Sequence, residues 1–163
     1  MYTTQDFINS FSNDVRIINH LIEKIPSDKY GFKLIDNQRT VADLIHYLSS
    51  IFSDTIQVIH ANDPGLYKTF PKAPAITPEN AIAQMNAEVA KVQELLATWT
   101  EEDFKAPISL FGGPEMSKGV MVVDYLLQWA AAYKMQLFLY IKQMGITVGT
   151  SNVWGGMDMP EIK

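Results

Sequence analysis

The chain has 163 residues, 47% of them hydrophobic and 19% charged, enough for one domain with a sizeable core and with no compositional sign of disorder. Its formal net charge of -5 argues against nucleic acid as a partner, because phosphate contacts need a basic surface. There is no cysteine, which excludes disulfides, thiolate zinc sites and cysteine nucleophiles.

The first residues, Met1 to Asp6, lack the basic segment and apolar run of a signal peptide. No stretch reaches the ~18 consecutive apolar residues that span a bilayer. A cytoplasmic protein with no membrane contact is the expectation.

Apolar residues at helical spacing (Phe7, Phe11, Ile18, Leu21, Ile22, Ile25) predict a first helix over about 4–25. Thr3 or Thr4 caps its start, Asp6 favours the positive end of its dipole, and Pro26 stops it. A second helix follows over 41–60, carried by Val41, Leu44, Ile45, Leu48, Ile51, Phe52, Ile56 and Ile59. Thr40 stands at its N-cap with Asp43 placed to complete a capping box. Asn62-Asp63-Pro64-Gly65 breaks it, and the proline-bearing stretch to Thr77 is too long for a tight turn, so it predicts a long crossover between helices 2 and 3. Thr77-Pro78-Glu79 offers a cap, a proline at the first position and an acid in the first turn, which predicts a third helix over 78–99.

Thr100-Glu101-Glu102-Asp103 reads as a turn or one-turn helix, and 107–118, with Gly112-Gly113-Pro114, as a loop or short hairpin. The fourth helix covers about 119–144 and ends at Gly145. It is the most apolar, so it is expected to be the most buried. A tail without periodicity, 146–163, follows, with Trp154 expected to anchor it. Together these elements predict an all-α fold: one domain over 1–163, a four-helix bundle in which not all neighbours are antiparallel.

Three segments then carry a family resemblance. Tyr30-Gly31-Phe32, with Arg39-Thr40-Val41-Ala42-Asp43-Leu44-Ile45-His46, is similar to the loop and histidine-bearing second helix of DinB-like proteins, which include the mycothiol- and bacillithiol-dependent transferases. Leu96-Ala97-Thr98-Trp99-Thr100-Glu101-Glu102-Asp103-Phe104 resembles the family's end of helix three. Tyr133 to Gly145 resembles its His-Arg-x-Gln-Leu-x-x-Tyr-Leu-x-x-x-Gly ending of helix four. The resemblance spans nearly the whole chain and implies a DinB-like four-helix bundle and a homodimer. The family's name, DNA damage-inducible, describes expression and implies no DNA contact.

Metal-bearing relatives hold a divalent ion with one histidine on helix two and two histidines four apart on helix four, since positions i and i+4 share a face. His46 matches the first ligand, but Trp129 and Tyr133 stand at the other two. Tryptophan has no lone pair to give, and a tyrosine with a pKa near ~10 is a poor ligand unaided. The expectation is therefore no metal and no cofactor: a small-molecule-binding or interaction module with a degenerate metal site. The alternative is a metal-dependent thiol S-transferase or hydrolase using zinc or nickel. His46, Trp129, Tyr133, Gln136 and Tyr140 are the candidate pocket residues. Aromatic residues at helical spacing are more often core than pocket, so Trp129 and Tyr133 read first as core filling the space that a metal site occupies in relatives. Ser50 lies one helical turn from His46 but has no strand-to-helix elbow or identified acid, and His20 and His60 read as structural.

Overall fold

A computed structural model describes residues 3–158; Met1, Tyr2 and the end of the tail, 159–163, lie outside the described residues. Five helices order the chain: α1 (Thr4–Ile22), α2 (Val41–Ala61), α3 (Ala81–Ala97), the one-turn α4 (Glu101–Lys105) and α5 (Lys118–Gln143). A two-stranded hairpin, β1 (Pro107–Ile108) with β2 (Met116–Ser117), precedes α5. No helix among the described residues is long and apolar enough to cross a membrane.

Three helices begin on the same device. Thr3 with Asp6, Thr40 with Asp43 and Thr100 with Asp103 each form a reciprocal capping box at the starts of α1, α2 and α4. The caps of α1 and α2 stand where the sequence places them. α3 does not start at Thr77. Asn80 accepts the Thr77 N–H and donates to the Ala75 carbonyl, so Thr77 to Asn80 closes as a turn and the helix begins at Ala81. α1 also ends earlier than predicted, because its last residues tighten to three-residue bonds, Lys24 to Leu21 and Ile25 to Ile22. Gly145 ends α5 at φ +81°, as its place in the sequence predicts.

The long helices pack in the cyclic order α1, α3, α2, α5. Bonds between them fix their directions. Asn19 bonds Asn86 and Gln93 bonds Ser12, so α1 and α3 are antiparallel. Ser53 meets Glu88, and the ring of His60 lies 5.0 Å from that of Trp99, just past α3, so α2 and α3 are parallel. Parallel neighbours require a long return, and residues 62–80 supply it: the segment comes back along α2 until the Ala73 carbonyl meets His46. α1 and α2 face each other across the diagonal, with Phe11 edge-on to Phe52 at 4.9 Å.

α2, and not α5, is the most buried helix: 11 of its 21 residues are buried, against 9 of 26. It is covered by α3, α5 and the returning crossover, whereas part of α5 lies against the open hairpin side. The tail also departs from expectation. Trp154 is 63% exposed, and the buried Val148, Asn152 and Val153 hold the segment instead. A single π-type turn, Ser151–Gly155, lies on α1, where Arg16 donates to the carbonyls of Gly155 and Gly156. Gly156, at φ +58°, sits so close to Ile17 that an added Cβ would come within 3.1 Å of its Cγ1.

Between α2 and α3 the wholly buried Glu88 accepts from the N–H and hydroxyl of Ser53, at 2.6 and 2.8 Å. Burial raises its pKa, and the two Ser53 bonds only partly oppose this. A carboxyl whose folded pKa lies above its unfolded value stabilises the fold below that unfolded value, near ~4.3, and loses the contribution as pH rises through the folded one. Glu88→Gln cannot titrate. In urea denaturation over a pH series, wild type should lose stability relative to Glu88→Gln by up to ~1.4 kcal/mol per pH unit across that window, on top of a constant offset. A pH-independent difference would contradict this.

Candidate functional site

The candidate residues divide into three settings. His46, half-buried on α2, has Nε2 2.9 Å from the Ala73 carbonyl. A carbonyl only accepts, so Nε2 is the donor in this bond. Tyr133 on α5 meets Tyr47 edge-on at 5.3 Å, while Trp129 packs on Tyr125 at 5.2 Å. Gln136 and Tyr140 lie deeper: the Gln136 amide donates to the Tyr140 hydroxyl at 2.8 Å, and that hydroxyl donates to the Arg39 carbonyl at 2.9 Å. Tyr140 is fully buried with Phe32 against its ring, so it braces the loop before α2.

A cleft of about 410 Å³ opens between α2 and the crossover, within the usual size range for small-molecule sites. Its lining includes Arg39, His46, Tyr47, Asp54, Tyr67 and Phe70. The aromatic wall continues beyond it, since Tyr67 touches both Phe70 and Phe111, Phe111 touches Tyr125, and Tyr125 touches Trp129. The Arg39 guanidinium lies 4.2 Å over the Tyr47 ring. Burial, and then the neighbouring Tyr133, hold the Tyr47 phenol well above its ordinary pKa, with Arg39 opposing them. The Tyr67 hydroxyl shares a 2.8 Å hydrogen bond with Thr55, and burial raises its pKa as well. Asp54, deeper along α2, is pushed up to about 6 by burial against the pull of Lys91.

A larger groove of about 740 Å³ lies where the starts of α1 and α5 meet α4, but its floor is Phe7, Phe104, Val122 and Val123. Thr3, Thr4, Glu101, Lys105, Ser117 and Asp124 also line that groove, but the cleft on α2 differs in setting its polar groups among aromatic rings.

Of the five candidates only His46 lines this cleft; Trp129, Tyr133, Gln136 and Tyr140 do not, although Tyr133 packs on Tyr47, which does, and sequence reasoning missed Arg39, Tyr47, Asp54, Tyr67 and Phe70. For Tyr47 and Asp54 a signal existed. They stand seven residues apart on one helix, so they share a face. Tyr67 and Phe70 come from the crossover, where no periodicity marks them.

The metal donors of the family do not reassemble from other residues. Among the described residues no three His, Cys, Asp or Glu side chains converge in a way that would hold an ion. His46 offers one nitrogen, and the two α5 positions that match the family's other ligands, Trp129 and Tyr133, carry an indole and a phenol. Such a set does not fit a divalent metal.

Fold and cleft define a helical bundle with a ligand-sized opening on its side. The chain belongs to the DinB superfamily, whose model matches residues 13–136. It is similar in fold to a DinB-like protein, YjoA, from Bacillus subtilis, with a TM-score of 0.72 at 19% identity over 88% of this chain and 95% of that one. A second solved structure, assigned to the DinB family and from Exiguobacterium sibiricum, gives a TM-score of 0.60 at 15% identity over 90% of this chain and 97% of that one. No curated protein matches the chain.

Proposed function

We propose that this DinB-superfamily chain is a metal-free small-molecule-binding module whose ligand sits in the cleft between α2 and the crossover. The observation that carries the reading is the engagement of the three ligand-matching positions: His46 Nε2 by Ala73, Tyr133 by Tyr47 and Trp129 by Tyr125. The space beside them is walled by aromatic rings and tipped with charge, a surface for recognition. The thiol-transferase reading needs an ion at His46, and no second strong donor meets it there. A homodimer in the cytoplasm completes the proposal. Val120 and Leu139, apolar and exposed on α5, offer contact area for a second copy.

The test is elemental analysis of untagged protein incubated with zinc, nickel and manganese and then desalted, beside native mass spectrometry of the same sample. The expected result is no stoichiometric metal in wild type or in His46→Ala, together with an organic adduct that Tyr47→Ala loses. A molar equivalent of metal that disappears in His46→Ala would overturn the proposal and put the transferase first.

A further inference from the structure

Two opposite charges in the cleft are left without partners. Arg39 stacks on Tyr47, but its guanidinium makes no ion pair and no hydrogen bond among the described residues. Asp43, which also lines the cleft, is held in the α2 cap, where its Oδ2 accepts from the Thr40 hydroxyl at 2.7 Å, and makes no ion pair with Arg39. Asp54 is half-buried and likewise has neither a hydrogen bond nor an ion pair among the described residues. Lys91 acts on it only at longer range. The burial cost falls on Asp54, whose half-buried carboxylate lacks a counter-charge, whereas Arg39 is exposed at the cleft's mouth and keeps its water.

Their spacing is set by α2. Asp54 stands seven residues beyond Tyr47, two turns on the same face, or ~10 Å along the axis at ~1.5 Å per residue. Between the two ends lie the rings of Tyr47, Tyr67 and Phe70. Lys72, exposed on the cleft's edge, adds positive charge.

We infer that the cleft binds a small amphoteric molecule, with its carboxylate on Arg39, its ammonium on Asp54 and an apolar body about 10 Å long on the rings between. This rests on the reading of the cleft as a small-molecule site and names the ligand class. A simple anion would leave the half-buried Asp54 without a counter-charge, and a simple cation would leave the exposed Arg39, stacked on Tyr47 at the other end, facing only water. Only a ligand with both charges satisfies both ends. The pKa of about 6 at Asp54 agrees, since a buried ammonium partner removes the penalty that burial puts on its charge.

Three probes of equal chain length separate the possibilities: ω-aminooctanoate, octanoate and octylamine, titrated into the full chain by protein NMR. The expected result is ω-aminooctanoate binding at least about tenfold more tightly than either single-charge probe, with shifts at Tyr47, Tyr67 and Phe70. Asp54→Asn should erase its advantage over octanoate, and Arg39→Gln its advantage over octylamine. Equal affinity for all three probes, or an advantage that survives both substitutions, would overturn the inference. If none of them binds while the co-purified adduct still depends on Tyr47, the amphoteric assignment fails and the small-molecule reading stands. If no adduct exists either, both fall.

Discussion

Asp14→Ala should lower the free energy of unfolding by about 3–5 kcal/mol, because it strands a cation in the core. Lys134 on α5 is 5% exposed, and its Nζ lies 2.5 Å from Asp14 Oδ1 on α1. Its other neighbour is the face of Trp154, 5.6 Å from Nζ to the ring centre, which softens the burial but supplies no counter-charge. Removing one partner of such a pair costs far more than removing both. The double variant Asp14→Leu with Lys134→Met should therefore recover most of the loss. Urea denaturation of the three proteins checks this. A single variant losing less than about 1 kcal/mol, the range of an exposed pair, would show that the lysine finds water.

Tyr140→Ala should cost a similar ~3–5 kcal/mol, as for any large aromatic truncated in a closed core. Its ring is fully buried against Phe32, and total stability for a domain of this kind is only about 5–15 kcal/mol. Tyr140→Phe separates packing from polarity. It keeps the ring but leaves the Arg39 carbonyl and the Gln136 amide without their partner, a loss of about 1–3 kcal/mol. Because that carbonyl belongs to the residue whose guanidinium covers Tyr47, Tyr140→Phe should also weaken binding of a carboxylate-bearing probe. Stability is read from urea denaturation and binding from titration. Unchanged affinity would show that the Arg39 backbone is held by other means.

The parts of this fold that were legible in the sequence rest on short-range physics. Thr40 and Asp43 are three residues apart, and their reciprocal bonds need nothing from the rest of the chain. The same holds for Gly145 after α5. The parallel pairing of α2 and α3 was also legible in outline, because 62–77 is too rich in proline for a helix and too long for a turn. Errors came where distant or competing contacts decide. Thr77-Pro78-Glu79 has the residues of a helix start, yet Asn80 offers a better set of bonds and delays it. α5 is rich in apolar residues, yet α2 is covered on more sides.

The candidate site was half legible for the same reason. Trp129, Tyr133, Gln136 and Tyr140 do share a broad face of α5, but that face is three turns long and meets different neighbours along its length. Tyr133 reaches Tyr47, whereas Tyr140 reaches the loop ahead of α2. Glu88 falls on the same helical stripe as Ala81, Met85, Val92 and Leu96, so the spacing points it inward, but a carboxylate there is not expected until Ser53 is placed opposite.

The segment lying on α1 has a consequence for the order in which the chain assembles. Arg16 binds carbonyls 139 and 140 positions away, whereas each Thr–Asp cap closes over three. Helix starts can therefore form early and independently, while this contact must wait until the rest of the bundle has brought the distant ends of the chain together. Its contacts run to α1 and the end of α5 and none bridges the four long helices to one another, so it can open without those helices coming apart. The last step of assembly and the first of disassembly are then one event. The surface it uncovers is the outer side of α1, including Ile17, which is buried and lies directly against Gly156.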